Sequence, residues 1–94
     1  MDNTNTIEFY IHHLANSIEI SINNEDTIED IRNKLATNLD CAIKRIRLYH
    51  MCDGKIKTGY SYYGLTGNEL FLENYKEYKN KYGNYYMNFI FIKK

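Results

Sequence analysis

Ile7-Glu8-Phe9-Tyr10-Ile11 and Ile18-Glu19-Ile20-Ser21-Ile22, followed at once by Glu25-Asp26-Thr27-Ile28-Glu29-Asp30-Ile31-Arg32-Asn33-Lys34-Leu35, are the stretches on which the fold turns. In the first run Ile7, Phe9 and Ile11 share one side of an extended chain, with Glu8 and Tyr10 on the other. Ile18, Ile20 and Ile22 alternate with Glu19 and Ser21 in the same way, the period of a half-buried strand. The short connector His12-His13-Leu14-Ala15-Asn16-Ser17 predicts an antiparallel hairpin. Thr27 is placed to cap a helix, with Asp30 three residues on as a short-armed capping box. Ile28, Ile31, Leu35 and Leu39 form its inward stripe. Glu29, Asp30, Arg32, Asn33 and Lys34 are expected to face water, the acids early where the helix dipole favours them.

Working outward, residues 1–5 are polar and expected to fray. Cys41-Ala42-Ile43-Lys44 reads as a return loop, and Ile46 and Leu48 alternate with Arg47 and Tyr49 as a third strand. Asp53-Gly54 signals a turn into the edge strand Lys55-Ile56-Lys57, whose lysines discourage edge pairing. Tyr60–Leu65 reads as a turn or a single 3₁₀ loop. Glu69-Leu70-Phe71-Leu72 is the expected fifth strand. The Tyr/Lys-rich stretch 75–84 and the β-prone run Tyr85–Ile92 then form a C-terminal extension over 75–94, preferred as an added strand. The other reading makes Tyr85–Ile92 the central strand and Leu70–Asn84 an insertion. The fold class is therefore α+β: a mixed sheet of four to five strands wrapped on one helix, domain 6–74, with an extra C-terminal strand or extension.

Ninety-four residues suffice for one domain with a modest core. Twelve Lys+Arg balance twelve Asp+Glu, so no bulk charge draws the chain to nucleic acid or anionic membrane. No signal-like start and no run of roughly 18 apolar residues is visible. The expectation is a cytoplasmic or nuclear protein without membrane contact, with Cys41 and Cys52 packed rather than paired. Ten tyrosines, no proline and no tryptophan, beside abundant Asn, Lys and Ile, point to drift in an AT-rich genome such as a parasite's or a virus's.

Residues 7–35 resemble ubiquitin, and the order β-β-α-β-β-β is that of the β-grasp. Leu14 lands on the leucine of ubiquitin's first turn, and Asp26–Leu35 is similar to its capped helix start. Arg47-Leu48-Tyr49 falls on its Arg-Leu-Ile strand, Ser61-Tyr62-Tyr63-Gly64-Leu65 on its Ser-Asp-Tyr-Asn-Ile loop, and Leu70-Phe71-Leu72 on the opening of its last strand. The resemblance spans about residues 6–73. It implies a patch on the open sheet face, where ubiquitin's leucine, isoleucine and valine are matched by Leu14, Tyr49 and Glu73. A carboxylate there costs an apolar partner about 1–3 kcal/mol unless a donor meets it. The tail closing in Gly-Gly that conjugated relatives carry has no counterpart here. Conjugation would need cleavage after Gly83.

The expectation is a stand-alone domain that binds protein non-covalently, as adaptor or ubiquitin mimic. Its face carries His12, Leu14, Arg47, Tyr49 and Glu73, with Lys44 and Arg45 at the rim. A second expectation pairs the strand carrying Tyr86, Asn88, Ile90 and Ile92 with a partner strand or its own copy, giving a homodimer. From another class comes RNA contact, through Lys76, Lys79, Lys81, Lys93 and Lys94 interleaved with Tyr75, Tyr78, Tyr82, Tyr85 and Tyr86. No catalytic site, cofactor or metal is expected. His12, His13 and His50 read as ordinary solvated positions, and His50-x-Cys52 lacks the paired spacing of a structural zinc site.

Overall fold

The computed structural model describes residues 4–12, 16–58, 65 and 67–93. The chain is α+β. Strands β1 (Thr4–Ile11), β2 (Asn16–Asn23), β3 (Ile46–Cys52), β4 (Lys55–Thr58) and β5 (Tyr86–Ile92) form one mixed sheet, with helices α1 (Ile28–Leu39) and α2 (Phe71–Tyr82). The strand order β2-β1-β5-β3-β4 is compatible with a β-grasp-like architecture. Both hairpins form as expected. β1 and β2 pair from Thr4–Asn23 to Ile11–Asn16, and Asp53-Gly54, both at positive φ, turns β3 into β4.

The centre of the sheet corrects the sequence reading. β5 lies parallel to β1 and antiparallel to β3, so Tyr86–Ile92 is the central strand and not an added one. Leu70 makes only an isolated bridge to Thr27, and Phe71 and Leu72 open α2. The physical reason is pairing on both edges. A strand with a neighbour on each side needs a long β-prone run, which Tyr86–Ile92 supplies and Leu70–Leu72 is too short to supply. The expected pairing of Tyr86, Asn88, Ile90 and Ile92 with a partner strand is corrected too, because β1 and β3 occupy both sides of β5.

The capping box at Thr27 is present: Asp30 N–H donates to Thr27 Oγ1 (3.2 Å) and Thr27 N–H to Asp30 Oδ2 (2.9 Å). The segment leading into α2, far along the chain, serves the other early donors of α1, with Ile28 N–H bound to the Glu69 carbonyl and Glu29 N–H to that of Gly67. Gly67 sits at φ +115°, a region that side-chain-bearing residues avoid. Arg32 departs from expectation. It is buried, its guanidinium donating to Glu29 Oε1 (2.8 Å) and to the carbonyls of Ile43 and Ile46 (3.1 Å each), groups left over where the chain turns into β3.

One face of the sheet carries both helices. Phe9, Ile11, Ile20, Ile22, Ile46, Leu48 and Ile90 meet Ile28, Ile31 and Leu35 of α1 and Phe71 and Leu72 of α2 in a single core. Among the described residues no helix is long and apolar enough to cross a membrane.

Candidate functional site

Period-two alternation leaves the other sheet face to Glu8 and Tyr10 of β1, Arg47, Tyr49 and Met51 of β3, and Met87, Phe89 and Phe91 of β5. The registers arrange these in rows. Tyr10 lies beside Phe89 and Phe89 beside Tyr49, an aromatic row across three strands. On one side of it Met87, Met51 and Ile56 form an apolar row. On the other, Phe91 lies beside Arg47, and the His12 ring packs at 5.0 Å from Phe91 and 5.4 Å from Phe89. Neither helix covers this face, and Tyr10 and Ile56 are 40% and 42% exposed. The Glu8 carboxylate, through a hydrogen bond and its charge, raises the Tyr10 phenol above its ordinary pKa.

His12, Arg47 and Tyr49 thus sit where the sequence reading put them. Arg47 is more buried than a rim residue, folding back so that Nη1 donates to the Lys44 carbonyl (2.9 Å). Lys44 and Arg45 are exposed on the 3₁₀ turn before β3, with Arg45 Nε donating to the Lys93 carbonyl (2.9 Å). Glu73 does not join them. It lies exposed in the first turn of α2, on the helix-bearing side, because residues 71–82 are helix rather than strand. Leu14 falls outside the described residues, as do residues 61–64. Sequence reasoning missed Phe89, Phe91, Met87 and Met51. For Met87, Phe89 and Phe91 the signal was the odd-numbered positions of β5, legible only once that strand is known to be central; Met51 continues the Arg47, Tyr49 alternation of β3.

On the helix-bearing face, His50 corrects the expectation of a solvated histidine: it is fully buried. Its Nδ1 lies 2.7 Å from the Tyr86 hydroxyl and its Nε2 2.6 Å from Oδ1 of Asn74 on α2. The Tyr86 hydroxyl donates to Asn88 Oδ1 (2.8 Å), and Asn88 Nδ2 donates to the Glu8 carbonyl (3.1 Å), closing the end of the β1–β5 ladder. Counting hydrogens orients the chain. Asn88 is committed to Glu8, so Tyr86 donates to Asn88 and accepts from His50 Nδ1–H. A neutral ring then presents a lone pair at Nε2, which the Asn74 amide meets with its nitrogen turned inward; only a doubly protonated ring donates to the Asn74 oxygen. Burial lowers the His50 pKa to about 4, against the smaller opposing pull of the Asn74 and Asn88 side chains. Burial also raises the Tyr86 phenol, as does Tyr75 beside it. With both ring nitrogens engaged and no exposure, His50 is an internal tie between sheet and helix, not a group that meets a substrate.

The lysines and tyrosines of α2 also engage one another. Tyr75 stacks on Phe71 and meets the edge of Tyr86, with Lys79 Nζ 5.3 Å above its ring. Tyr78 stacks on Tyr82, whose ring has Lys57 and Lys81 at 5.7 and 5.5 Å. Among the described residues no three His, Cys, Asp or Glu side chains gather as metal ligands. Cys41 and Cys52 are both free thiols.

Neither a comparison with protein-family models nor one with curated proteins gives a match. Among solved structures, the chain is similar to the NMR structure of the Arabidopsis thaliana protein At2g32350, with a TM-score of 0.60 and 14% identity over 99% of this chain and 90% of that one. At that identity the likeness is one of fold.

Proposed function

We propose that the chain is a ubiquitin-like β-grasp domain that works by non-covalent protein binding, as an adaptor or ubiquitin mimic, through the open face of its sheet. The observation that carries this reading is the aromatic row Tyr10–Phe89–Tyr49 left uncovered by either helix. A one-sided antiparallel sheet ordinarily turns polar residues to water. Here the central strand turns Met87, Phe89 and Phe91 outward, and a contiguous apolar patch of that kind marks an interaction site. Tyr, Phe, Met and Arg are also the residues enriched where proteins meet, the aromatic ones because they combine large contact area with few rotatable bonds. The strand order and the capping box of α1 support the ubiquitin-like assignment. Where ubiquitin's receptors meet an aliphatic patch, a partner here meets a broader aromatic one, suited to an apolar anchor laid across β1, β5 and β3. Conjugation through Gly83 would require removing the chain that forms β5, so the non-covalent reading is preferred.

The test compares immobilised intact domain with Phe89→Ser and Tyr49→Ala variants that keep the far-UV circular dichroism of the parent. Proteins held by the parent should be retained at least about tenfold less by each variant, as for central interface residues. Equal retention by all three overturns the open-face reading. A covalent ladder in cell extract mapping to Gly83 overturns the non-covalent one.

A further inference from the structure

The charges of the open face gather at opposite corners. At one corner Glu19 of β2 stands directly opposite Glu8 of β1, and both are exposed. Like charges so placed disfavour each other. Among the described residues the ion pairs are Arg32–Glu29 and Lys34–Asp26, so neither carboxylate is matched by a cation. At the other corner Arg47 opens β3, Lys44 and Arg45 stand exposed on the turn before it, and exposed Lys93 follows β5. Lys93 N–H donates to the Arg45 carbonyl (2.8 Å), which ties the two chain ends into one basic rim.

The registers fix how the corners lie. Glu19, Glu8, Met87, Met51 and Ile56 occupy one row across the strands, and Arg47 lies four residues along β3 from Met51. Glu19 and Arg47 are therefore separated by three strand spacings of about 4.8 Å and four residue rises of about 3.3 Å. The two legs are nearly equal, so the line from acid to base runs at roughly 45° to the strands. Phe89 sits near its middle. His12 and the Met51–Ile56 pair hold the two remaining corners.

This layout is complementary to itself. Let two copies lie face to face about a two-fold axis along the His12–Ile56 diagonal. Each Glu8/Glu19 corner then lies over the other copy's Arg47/Lys93 corner, twice by symmetry. Phe89 meets Phe89 on the axis, and Met51 and Ile56 meet their own counterparts. An axis near 45° to the strands crosses the two sheets at about 90°, one of the two arrangements in which sheets pack. A self-complementary patch about a closed two-fold is also the commonest form of self-association.

We propose that the open face is the contact of a symmetric dimer, two copies of this chain packed sheet on sheet with acidic corner against basic corner. The proposal rests on the open-face reading and names a partner for it. No strand edge takes part, so it is independent of the pairing of β5. A face of about 20 by 20 Å buries on the order of 1,000 Å² between two copies, below the size of stable complexes. The dimer is therefore transient, and dilution frees the face for other proteins.

Sedimentation equilibrium of the full chain from micromolar to millimolar concentration tests this. The mass should climb from monomer toward dimer, and raising salt from about 0.05 to about 0.5 M should weaken association at least about threefold. Glu8→Lys with Glu19→Lys makes both corners basic, and Lys44→Glu with Arg45→Glu and Lys93→Glu makes both acidic. Each variant alone should associate at least about tenfold more weakly, and an equal mixture of the two should dimerise again. In the unaltered chain, isotope-filtered NOEs between labelled and unlabelled copies should link Met51 or Ile56 to the same residues of the second copy. A monomer at millimolar concentration, a dimer that survives Phe89→Ser, or a mixture no more dimeric than its components overturns the proposal. If the chain stays monomeric while Phe89→Ser still loses captured proteins, the dimer falls and the open-face reading stands.

Discussion

The two helices cover adjoining parts of one sheet face and have the same length, yet almost nothing else about them matches. α1 is specified by its own residues: a complete capping box, acids in its first turn, an aliphatic stripe, and Asp40 in the left-handed conformation at its end. α2 has no side-chain cap and buries only Phe71 and Leu72 in full. It is held by what it meets, with Asn74 on His50, Tyr75 on Tyr86, and Tyr78 beside the His50 ring. A helix with strong local signals forms where it is written. A helix with weak ones forms where a sheet needs covering.

That contrast sets the expected order of effects. Ending the chain after Gly83 removes β5, which both β1 and β3 pair with, and should abolish cooperative unfolding and amide dispersion altogether. A folded 1–83 fragment would mean that β5 is an appendage after all. Phe71→Ala should cost about 3–5 kcal/mol in denaturant unfolding, since Phe71 is fully buried against Phe9 and is the main apolar anchor of α2. A loss below about 1 kcal/mol would show that α2 contributes little to the core.

Acid should act through α2 next. His50 holds its neutral form in the fold, while the unfolded chain binds a proton near pH 6.5, so the unfolded state gains protons first as pH falls. Stability should be level above about pH 6.5, decline between there and about pH 4, and lose roughly 3 kcal/mol from this group. A His50 ring signal titrating near 6.5 in the folded protein would contradict the buried tie. The smallest effect belongs to the legible helix. Thr27→Ala should cost about 1 kcal/mol and raise exchange rates in the first turn of α1 without disturbing α2. Equal loosening of both helices would show that the cap serves the α1–α2 junction as a whole.

The candidate face was half legible. Arg47 and Tyr49 came from alternation along β3, which local pattern reveals, and His12 from the hairpin connector beside the patch that the resemblance implies. Phe89 and Phe91 did not, because both faces of β5 carry apolar residues and its one amide, Asn88, points inward, so outward and inward positions look alike until its neighbours are known. Glu73 was misplaced for the matching reason, three apolar residues before it having been read as strand. The stripe Phe71, Tyr75, Tyr78, Tyr82 has helical spacing, but tyrosine's amphipathic ring hides it in a polar segment. His50 and Arg32 were read as solvated because their partners, Asn74, Tyr86 and the carbonyls of Ile43 and Ile46, lie far along the chain or in a turn.

Residues 6–39 alone dictate a hairpin and a capped helix, because period, cap and connector length act within a few residues of one another. Which later segment enters the middle of the sheet was decided by tertiary structure, since having a partner on both edges is a property of neighbours and not of a strand. With β5 in place, the aromatic face and the Asn74–His50–Tyr86–Asn88 chain both follow, each built from residues that only the assembled sheet brings together.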